Sequence, residues 1–293
     1  MSGTSITVFG ELSKPATVLV EKISDAVGGV FRPVQIVRVA RAEAQARIIH
    51  AEADIAITQL EQRAFARLRE EEVRKQQNME SITRQALPLI DNNAHPENVE
   101  DDWIAQFFDK CRLISDCEMQ VLWSRVLAGE ANSPGKFSKR TIDLVSTLAS
   151  NEAALFAHLC TVVCRVDGTT RDSFPAIHDH RNDVYASRGI CFESLNHLAS
   201  IGLIILSEFA GYVEDDVPNP TRLHYFDNFI TLELPVGKAD IAIGKAIFTQ
   251  AGAELSSICS VESDPRFLEY LQTTYEEMGY RLVEGGDTIL HNL

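Results

Sequence analysis

The sequence predicts a mostly α-helical protein with a long N-terminal helix, a central helical module and a C-terminal winged-helix-like α+β unit. The stretch from Val34 to about Leu87 contains neither Pro nor Gly and is rich in strong helix formers. The following region has apolar residues at helical spacing between capping and turn signals. Short β-branched runs typical of strands occur only in the last third of the chain.

Residues 1–33 are predicted to form an amphipathic helix that ends at a hinge. Apolar residues recur at helical spacing, and Gly28, Gly29 and Pro33 interrupt the pattern. Two interpretations of this helix are open: it lies on an anionic membrane surface, or it docks onto another helix or subunit. The residues predicted to contact the membrane or the partner are Leu19, Ile23, Val27, Val30 and Phe31, together with the basic Lys22 and Arg32.

Residues 34–90 are predicted to form a long helix that drives oligomerisation. Its apolar stripe repeats after eleven residues, a period that suits a nearly straight or slightly right-handed helical assembly. The stripe is rich in alanine, so a partner helix can approach closely. The predicted oligomerisation residues are Val37, Ala40, Ala44, Ile48, Ala51 and Ile55.

Residues 91–166 are predicted to form a compact helical module. Its first helix places Trp103, Ile104, Phe107 and Phe108 inward. Ser115 is predicted to cap the next helix, because Glu118 three residues later completes a capping box. A turn follows at Ser133-Pro134-Gly135, then a helix capped by Ser138 and another over residues 151–163.

Residues 167–293 are predicted to form a winged-helix-like acidic domain. A polar loop to about residue 187 precedes a helix over residues 192–203 and short strands at 204–206, 229–234 and 246–248. The candidate recognition helix contains Glu193 but no Lys or Arg. Because groove-reading helices need groups that meet phosphates and base edges, this unit favours protein interaction over DNA binding.

The charge distribution also disfavours nucleic acid as a partner. The net charge of the chain is −15. Residues 1–90 carry 12 Lys and Arg against 11 Asp and Glu, whereas the remaining residues carry 15 against 31. An acidic surface repels phosphate backbones, so the C-terminal part is predicted to recruit a protein.

Cysteine usage and the absence of targeting signals predict a cytoplasmic protein, peripheral at a membrane at most. The six cysteines include no Cys-x-x-Cys pair, so reduced thiols are expected. Cys160 and Cys164 are predicted to share a helix face. Burial is favoured over metal binding, because the sequence offers no second Cys/His pair to complete a metal site. Residues 1–10 do not resemble a secretory signal, and no apolar run reaches the length of a membrane span.

No residue cluster predicts catalysis, a metal or a cofactor. His178-Asp179-His180 resembles a metal or acid–base group but lacks further ligands at suitable spacing. Residues 100–102 lie in a predicted first helical turn, where carboxylates favour the positive end of the helix dipole. Phosphate-binding glycine loops and nucleophile elbows are absent from the sequence. A non-enzymatic protein is therefore expected, and a hydrolase would need a pocket at His178 or His180.

Several motifs resemble an uncharacterised bacterial family and, more loosely, the abortive-infection alpha (Abi-alpha) family. They are His-Pro-Glu-Asn-Val at 95–99 with Asp-Asp-Trp at 101–103, LWSRVLAGE at 122–130, PGKFSKRT at 134–141, and the Leu-rich element from Leu195 to Ile204. The resemblance covers most of the chain. It implies a fold and a link with defence against phage, and it carries over no catalytic residue.

The leading hypothesis is a non-enzymatic, self-associating component of antiphage defence, peripherally attached to a membrane. The first helix binds lipid or a membrane-bound partner, the long helix drives assembly into a homo-oligomer, and the acidic domain recruits a protein. The alternative is a soluble winged-helix-like adaptor or transcription-associated regulator without a membrane role.

Overall fold

The chain folds into two compact units, Met1–Ser146 and Thr147–Leu293, in a computed structural model. The structure describes residues 12–27, 59–169, 171–207 and 209–283. Helices make up the described part of the first unit, and helices with antiparallel sheets make up the second. The fold class is therefore mixed α+β, and the prediction of a mostly helical protein underestimated the strands.

The first unit contains four helices and the start of a fifth in its described residues. They are α1 (Lys14–Ala26), α2 (Gln59–Ala86), α3 (Asp101–Cys111), α4 (Cys117–Asn132) and α5 (Lys139–Thr147), with 3-10 turns at Leu87–Leu89 and Pro96–Asn98. Ser13 caps α1, with Pro15 in its first turn.

Aromatic rings form the centre of the first unit. The rings of Trp103 and Phe107 stack at 5.1 Å, and Trp123 meets Phe107 edge-on at the same distance. The indole Nε1 of Trp103 donates a hydrogen bond to the Phe137 carbonyl at 2.7 Å. The inward placement predicted for Trp103, Ile104, Phe107 and Phe108 is confirmed, since all four are buried.

Asp116, rather than the predicted Ser115, caps α4. Its carboxylate accepts from the backbone N–H of Met119 at 2.9 Å. Asp is as good an N-cap as Ser, and the helix begins one residue later than the capping-box pattern predicts. The hydroxyl of Ser115 instead accepts from the Asn78 side chain at 3.1 Å.

A buried carboxylate holds the turn between α4 and α5. Glu130 is 2% exposed, and its two oxygens accept from the backbone N–H groups of Gly135 at 2.7 Å and Phe137 at 2.8 Å. The Leu-Ala-Gly-Glu and Pro-Gly-Lys-Phe-Ser motifs are therefore two halves of one structural element. Together they shape the loop whose Phe137 carbonyl accepts the hydrogen bond from the Trp103 indole.

An amide network fixes α2 against α4. Gln120 on α4 donates to the Asn78 side chain at 3.3 Å and to the Ile114 carbonyl at 2.9 Å, and it accepts from the Ser81 hydroxyl at 2.7 Å. Asn78 also donates to the Arg112 carbonyl at 2.9 Å. Such directional contacts in a buried seam define the rotation of α2 about its own axis.

The second unit mixes short helices with antiparallel strands. The helices are α6 (Ser150–Cys160), α7 (Asp183–Ala186), α8 (Phe192–Ser200), α9 (Gln250–Ser256) and α10 (Pro265–Glu277). The strands are β1 (Val163–Val166), β2 (Phe174–Pro175), β3 (Ile204–Leu206), β4 (Tyr212–Glu214), β5 (Thr221–Tyr225), β6 (Asn228–Glu233), β7 (Ile241–Gly244), β8 (Ala246–Phe248) and β9 (Arg281–Leu282).

Residues 204–248 form one long, interrupted antiparallel ribbon. β3 pairs with β8, β4 pairs with β7, and β5 pairs with β6, so the three pairs are nested inside one another. The last pair closes at Tyr225 and Asn228 and joins a five-stranded sheet of order β2-β1-β5-β6-β9. Phe226, in the closing turn, adopts a left-handed backbone with φ of 51°.

The expected winged-helix unit differs from this arrangement. The predicted strands at 204–206, 229–234 and 246–248 are present, but the first pairs with the last across four intervening strands. The helix predicted over residues 151–163 ends at Cys160, because the β-branched Val162 and Val163 lead into β1. Cys164 consequently lies on a strand and not on a shared helix face with Cys160.

Aromatic side chains contribute to the core of the second unit, and His178 lies against one of them. Its ring lies 5.3 Å from that of Tyr275, and its Nε2 has no hydrogen-bond partner among the described residues. Burial lowers the pKa of His178 to about 4. His180 instead lies against Phe192, with ring centroids 5.9 Å apart, so the two imidazoles face different aromatic partners.

We expect Glu130→Gln to destabilise the first unit by about 2–3 kcal/mol, since an amide cannot accept from both backbone N–H groups and loses the charge. Both tryptophans of the chain lie in this unit, so tryptophan fluorescence during urea unfolding monitors it alone. Glu118→Gln on the same helix is the control, because Glu118 is exposed. Equal stability of the two variants would contradict this role of Glu130.

We expect His178 to make the second unit less stable at mildly acidic pH. Its folded-state pKa of about 4 lies below the ordinary 6.5, so its stabilising contribution is full above pH 6.5 and is lost as the pH falls toward 4. Complete loss of this contribution lowers the free energy of unfolding by about 3 kcal/mol, at roughly 1.4 kcal/mol per pKa unit.

All six tyrosines lie in the second unit, so their near-ultraviolet circular dichroism reports its unfolding. His178→Phe should flatten the pH dependence between pH 6.5 and 4, whereas His158→Asn, at an exposed site, should retain it. An unchanged slope in His178→Phe would contradict the assignment.

Candidate interaction surfaces

The N-terminal helix α1 buries the face that was predicted to meet a membrane or a partner. Leu19 and Ile23 are fully buried, and α1 lies against α3 and the 3-10 turn before it. Lys22 donates from Nζ to the Glu97 carbonyl at 3.0 Å and lies 3.1 Å from the Asp101 carboxylate. In this conformation Leu19 and Ile23 are buried within the first unit. Their contact with lipid or with a partner subunit stays a prediction.

Of the other residues predicted to contact a membrane, a partner or a second copy, only Val27 lies in the described part of the chain. Val27 follows the last residue of α1 and is half-buried. Val30, Phe31 and Arg32 lie outside the described residues. The predicted oligomerisation residues also lie outside them, namely Val37, Ala40, Ala44, Ile48, Ala51 and Ile55. Their role in self-association stays a prediction.

The N-terminal half of α2 carries an exposed apolar face that sequence analysis did not use. Residues 59–70 are all exposed, and they include Leu60, Phe65 and Leu68. In its C-terminal half, the same helix buries Asn78, Ile82, Thr83 and Ala86. Only this second half packs within the first unit, mainly against α4.

Helical geometry places the exposed and the buried residues on one face of α2. Five turns of an α-helix take 18 residues, so residues 18 apart point in the same direction. Leu60 is aligned in this way with Asn78, Phe65 with Thr83, and Leu68 with Ala86. Ala64 likewise aligns with Ile82. We call the set Leu60, Ala64, Phe65 and Leu68 the α2 stripe. It continues the packing face of α2 into the exposed half of the helix.

A groove in the second unit forms another apolar surface. It has a volume of about 720 Å³, and Phe192 of α8, Ile205 of β3 and Phe209 contribute to its walls. All three side chains are exposed. Exposed apolar residues that cluster around a concavity are typical of binding sites.

The edge of β3 borders this groove. Ser207 N–H donates to the Lys245 carbonyl at 2.8 Å, and Thr249 N–H donates to the Leu203 carbonyl at 3.1 Å. In an antiparallel pair the polar groups of alternate residues point to opposite sides, so those of Ile204 and Leu206 point away from β8. Among the described strands, β3 pairs with β8 alone. The outer edge of β3 is therefore not paired with another strand in the described part of the chain.

The acidic residues at 100–102 lie at the start of a helix, and Glu214 is a buried residue at the end of β4. Asp101 and Asp102 lie in the first turn of α3, as predicted, and Glu100 is its N-cap residue. Glu214 is paired with Arg171. Within the described part of the chain, no three His, Cys, Asp or Glu side chains are arranged to hold a metal ion. His178 and His180 do not line the groove.

None of the described helices combines the length and the apolar content that crossing a bilayer requires.

Comparison with known proteins identifies a family but no characterised relative. The family described as "Protein of unknown function (DUF2806)" matches residues 62–272, which is more than half of the chain. Neither a curated protein nor a solved structure matches. The link to the abortive-infection alpha family stays a prediction, since the matched family is uncharacterised. The chain belongs to the DUF2806 family of proteins of unknown function.

Proposed function

We propose that this protein is a non-catalytic assembly component that self-associates through the exposed half of α2. The α2 stripe is the observation that supports the proposal. It is apolar, exposed, and aligned with the face that already packs against a helix in the first unit. A surface of this kind is used for helix–helix packing, in which apolar residues at spacings of three and four form one contact line.

A second copy of the chain is the partner that fits the α2 stripe best. The surrounding charges alternate in sign, with Arg63, Arg67 and Arg69 followed by Glu70–72 and then Arg74 and Lys75. A helix that carries both signs can offer ion pairs to an identical helix, whereas a strongly charged helix would repel its copy. The Ala-rich segment before α2 has its own predicted stripe, which would extend the contact.

The membrane step of the sequence-based hypothesis is not part of this proposal. Lipid contact through Leu19 and Ile23 would require α1 to leave its site on α3 and to expose both side chains to water first. The role in antiphage defence rests on the resemblance to the abortive-infection alpha family alone, and we retain it as a prediction about the biological context of the assembly.

Self-association is tested by light scattering on the full chain with Leu68→Asp. Burial of an apolar side chain contributes about 1.5–3 kcal/mol, so a charge at this position should weaken the oligomer by at least about tenfold. Val73→Asp is the matched control. Val73 is 49% exposed and Leu68 is 51% exposed, but Val73 lies on a different face of α2.

A monomeric wild-type protein at the highest attainable concentration would refute the proposal, as would equal weakening by both substitutions. Ile48→Asp tests the predicted stripe of residues 37–55 separately. Loss of the oligomer in Ile48→Asp but not in Leu68→Asp would transfer the contact to that upstream segment.

The groove beside β3 supports a second candidate function, an adaptor that binds an extended peptide. An added strand would hydrogen-bond to the polar groups of Ile204 and Leu206, while its alternate side chains enter the groove. The apolar walls favour peptides with apolar residues at every second position.

Selection from a random-peptide display library on the full chain tests the adaptor function. Selected peptides should show alternating apolar residues, and Phe209→Asp should reduce their affinity by about tenfold or more. Val236→Asp should leave it unchanged, since Val236 is as exposed as Phe209, both at 105%, and does not line the groove. Peptides without this pattern, or with equal sensitivity to both substitutions, would exclude the adaptor function.

A further inference from the structure

The second unit brings together three cysteines that the sequence keeps far apart. Cys160 at the end of α6, Cys164 on β1 and Cys259 in the connection between α9 and α10 line one cavity of about 260 Å³. The sequence analysis found no second Cys/His pair that could complete a metal site with Cys160 and Cys164. The fold places Cys259, nearly a hundred residues further along the chain, at the same cavity.

Two of the three thiols are in direct contact. The side chains of Cys160 and Cys259 are hydrogen-bonded to each other, which, together with burial, raises the pKa of Cys160 well above its usual range. Burial alone raises the pKa of Cys164. A disulfide needs its two side chains to approach each other, and the two cysteines of this pair line the same cavity.

The two partners differ in access to solvent. Cys160 is 3% exposed, whereas Cys259 is half-buried. The backbone N–H of Cys259 donates to the Ser256 carbonyl at 3.2 Å, which holds the residue in a turn directly after α9. Cys259 is therefore the thiol that a reagent in the cavity reaches more readily, and Cys160 is the second thiol.

We propose that Cys160 and Cys259 are a redox-active dithiol that forms a reversible intramolecular disulfide by exchange with a low-molecular-weight disulfide such as glutathione disulfide. Cytosolic disulfides are commonly transient and redox-sensing, so this assignment is compatible with the predicted cytoplasmic location. The bond would tie the connection between α9 and α10 to the end of α6.

The exchange proceeds in two balanced steps. The Cys259 thiolate attacks one sulfur of glutathione disulfide, forms a mixed disulfide and releases one glutathione thiolate. The Cys160 thiol then loses its proton and attacks the Cys259 sulfur, which releases the second glutathione thiolate. The protein dithiol is oxidised by two electrons, the glutathione disulfide is reduced, and the two protein protons end on the two glutathione molecules.

The test is thiol mapping on the full chain after equilibration in reducing and oxidising glutathione buffers. Free thiols are blocked with N-ethylmaleimide before tryptic digestion and mass spectrometry. We expect a cross-link between the peptide 246–266, which contains Cys259, and the peptide 141–165, which contains Cys160 and Cys164. The denatured, non-reduced chain should remain a monomer in mass, and it should lose two titratable thiols relative to the reduced chain.

Single substitutions identify the partner of Cys259. Cys160→Ser and Cys259→Ser should abolish the cross-link, whereas Cys164→Ser and the exposed-site control Cys117→Ser should retain it. If Cys160→Ser does not fold, Cys160→Ala replaces it. Six titratable thiols in both buffers, or a cross-link that persists without Cys160, would overturn the proposal.

The disulfide should also have a stability signature in the second unit. A cross-link between distant residues restricts the unfolded chain, so the oxidised wild type should unfold at a higher temperature than the reduced wild type, by tyrosine circular dichroism. Cys259→Ser should show the same midpoint in both buffers. This readout is independent of self-association, so failure of either proposal leaves the other intact.

Discussion

The amide seam between α2 and α4 is the constraint on which the outer surface of the first unit depends. Asn78 and Gln120, both buried, hydrogen-bond to each other and to backbone groups in this seam. Rotation of α2 would leave these amides unsatisfied, at a cost of about 1–3 kcal/mol for each buried group. Because a helix is rigid over five turns, the seam also sets the direction of residues that lie well beyond it. The seam holds the buried residues that lie 18 positions after the α2 stripe, and these fix the direction in which the exposed stripe points.

The motifs that carry the family resemblance have a structural explanation. Glu130 of Leu-Ala-Gly-Glu binds two backbone N–H groups of the following loop, and Phe137 of that loop accepts from Trp103. These contacts join α3 and α4 to the loop that precedes α5. A motif that shapes a core says little about chemistry.

The long ribbon of the second unit brings residues that are distant in the sequence next to each other. Its nested pairs bring residues 204–206 back to residues 246–248, and α9 and the Cys259 turn follow directly. The same path places the free edge of β3 beside Phe192 and Cys259 beside Cys160. Both the groove and the dithiol thus arise from one topological feature. Local sequence could not predict either of them, because the residues that form each one come from separate elements of the chain.

The sequence alone determined the local elements: the helices around Trp103 and Trp123, the turn at Ser133-Pro134-Gly135, and the strands near 204, 230 and 246. These depend on apolar periodicity and capping within a few residues, which a sequence displays directly. Tertiary structure decided the strand partners, the cap at Asp116, the burial of Leu19 and Ile23, and the meeting of Cys160 with Cys259. An amphipathic helix has the same pattern whether it covers lipid or protein, and a cysteine has no local signal for a distant partner. Packing free energy summed over the whole unit makes those choices.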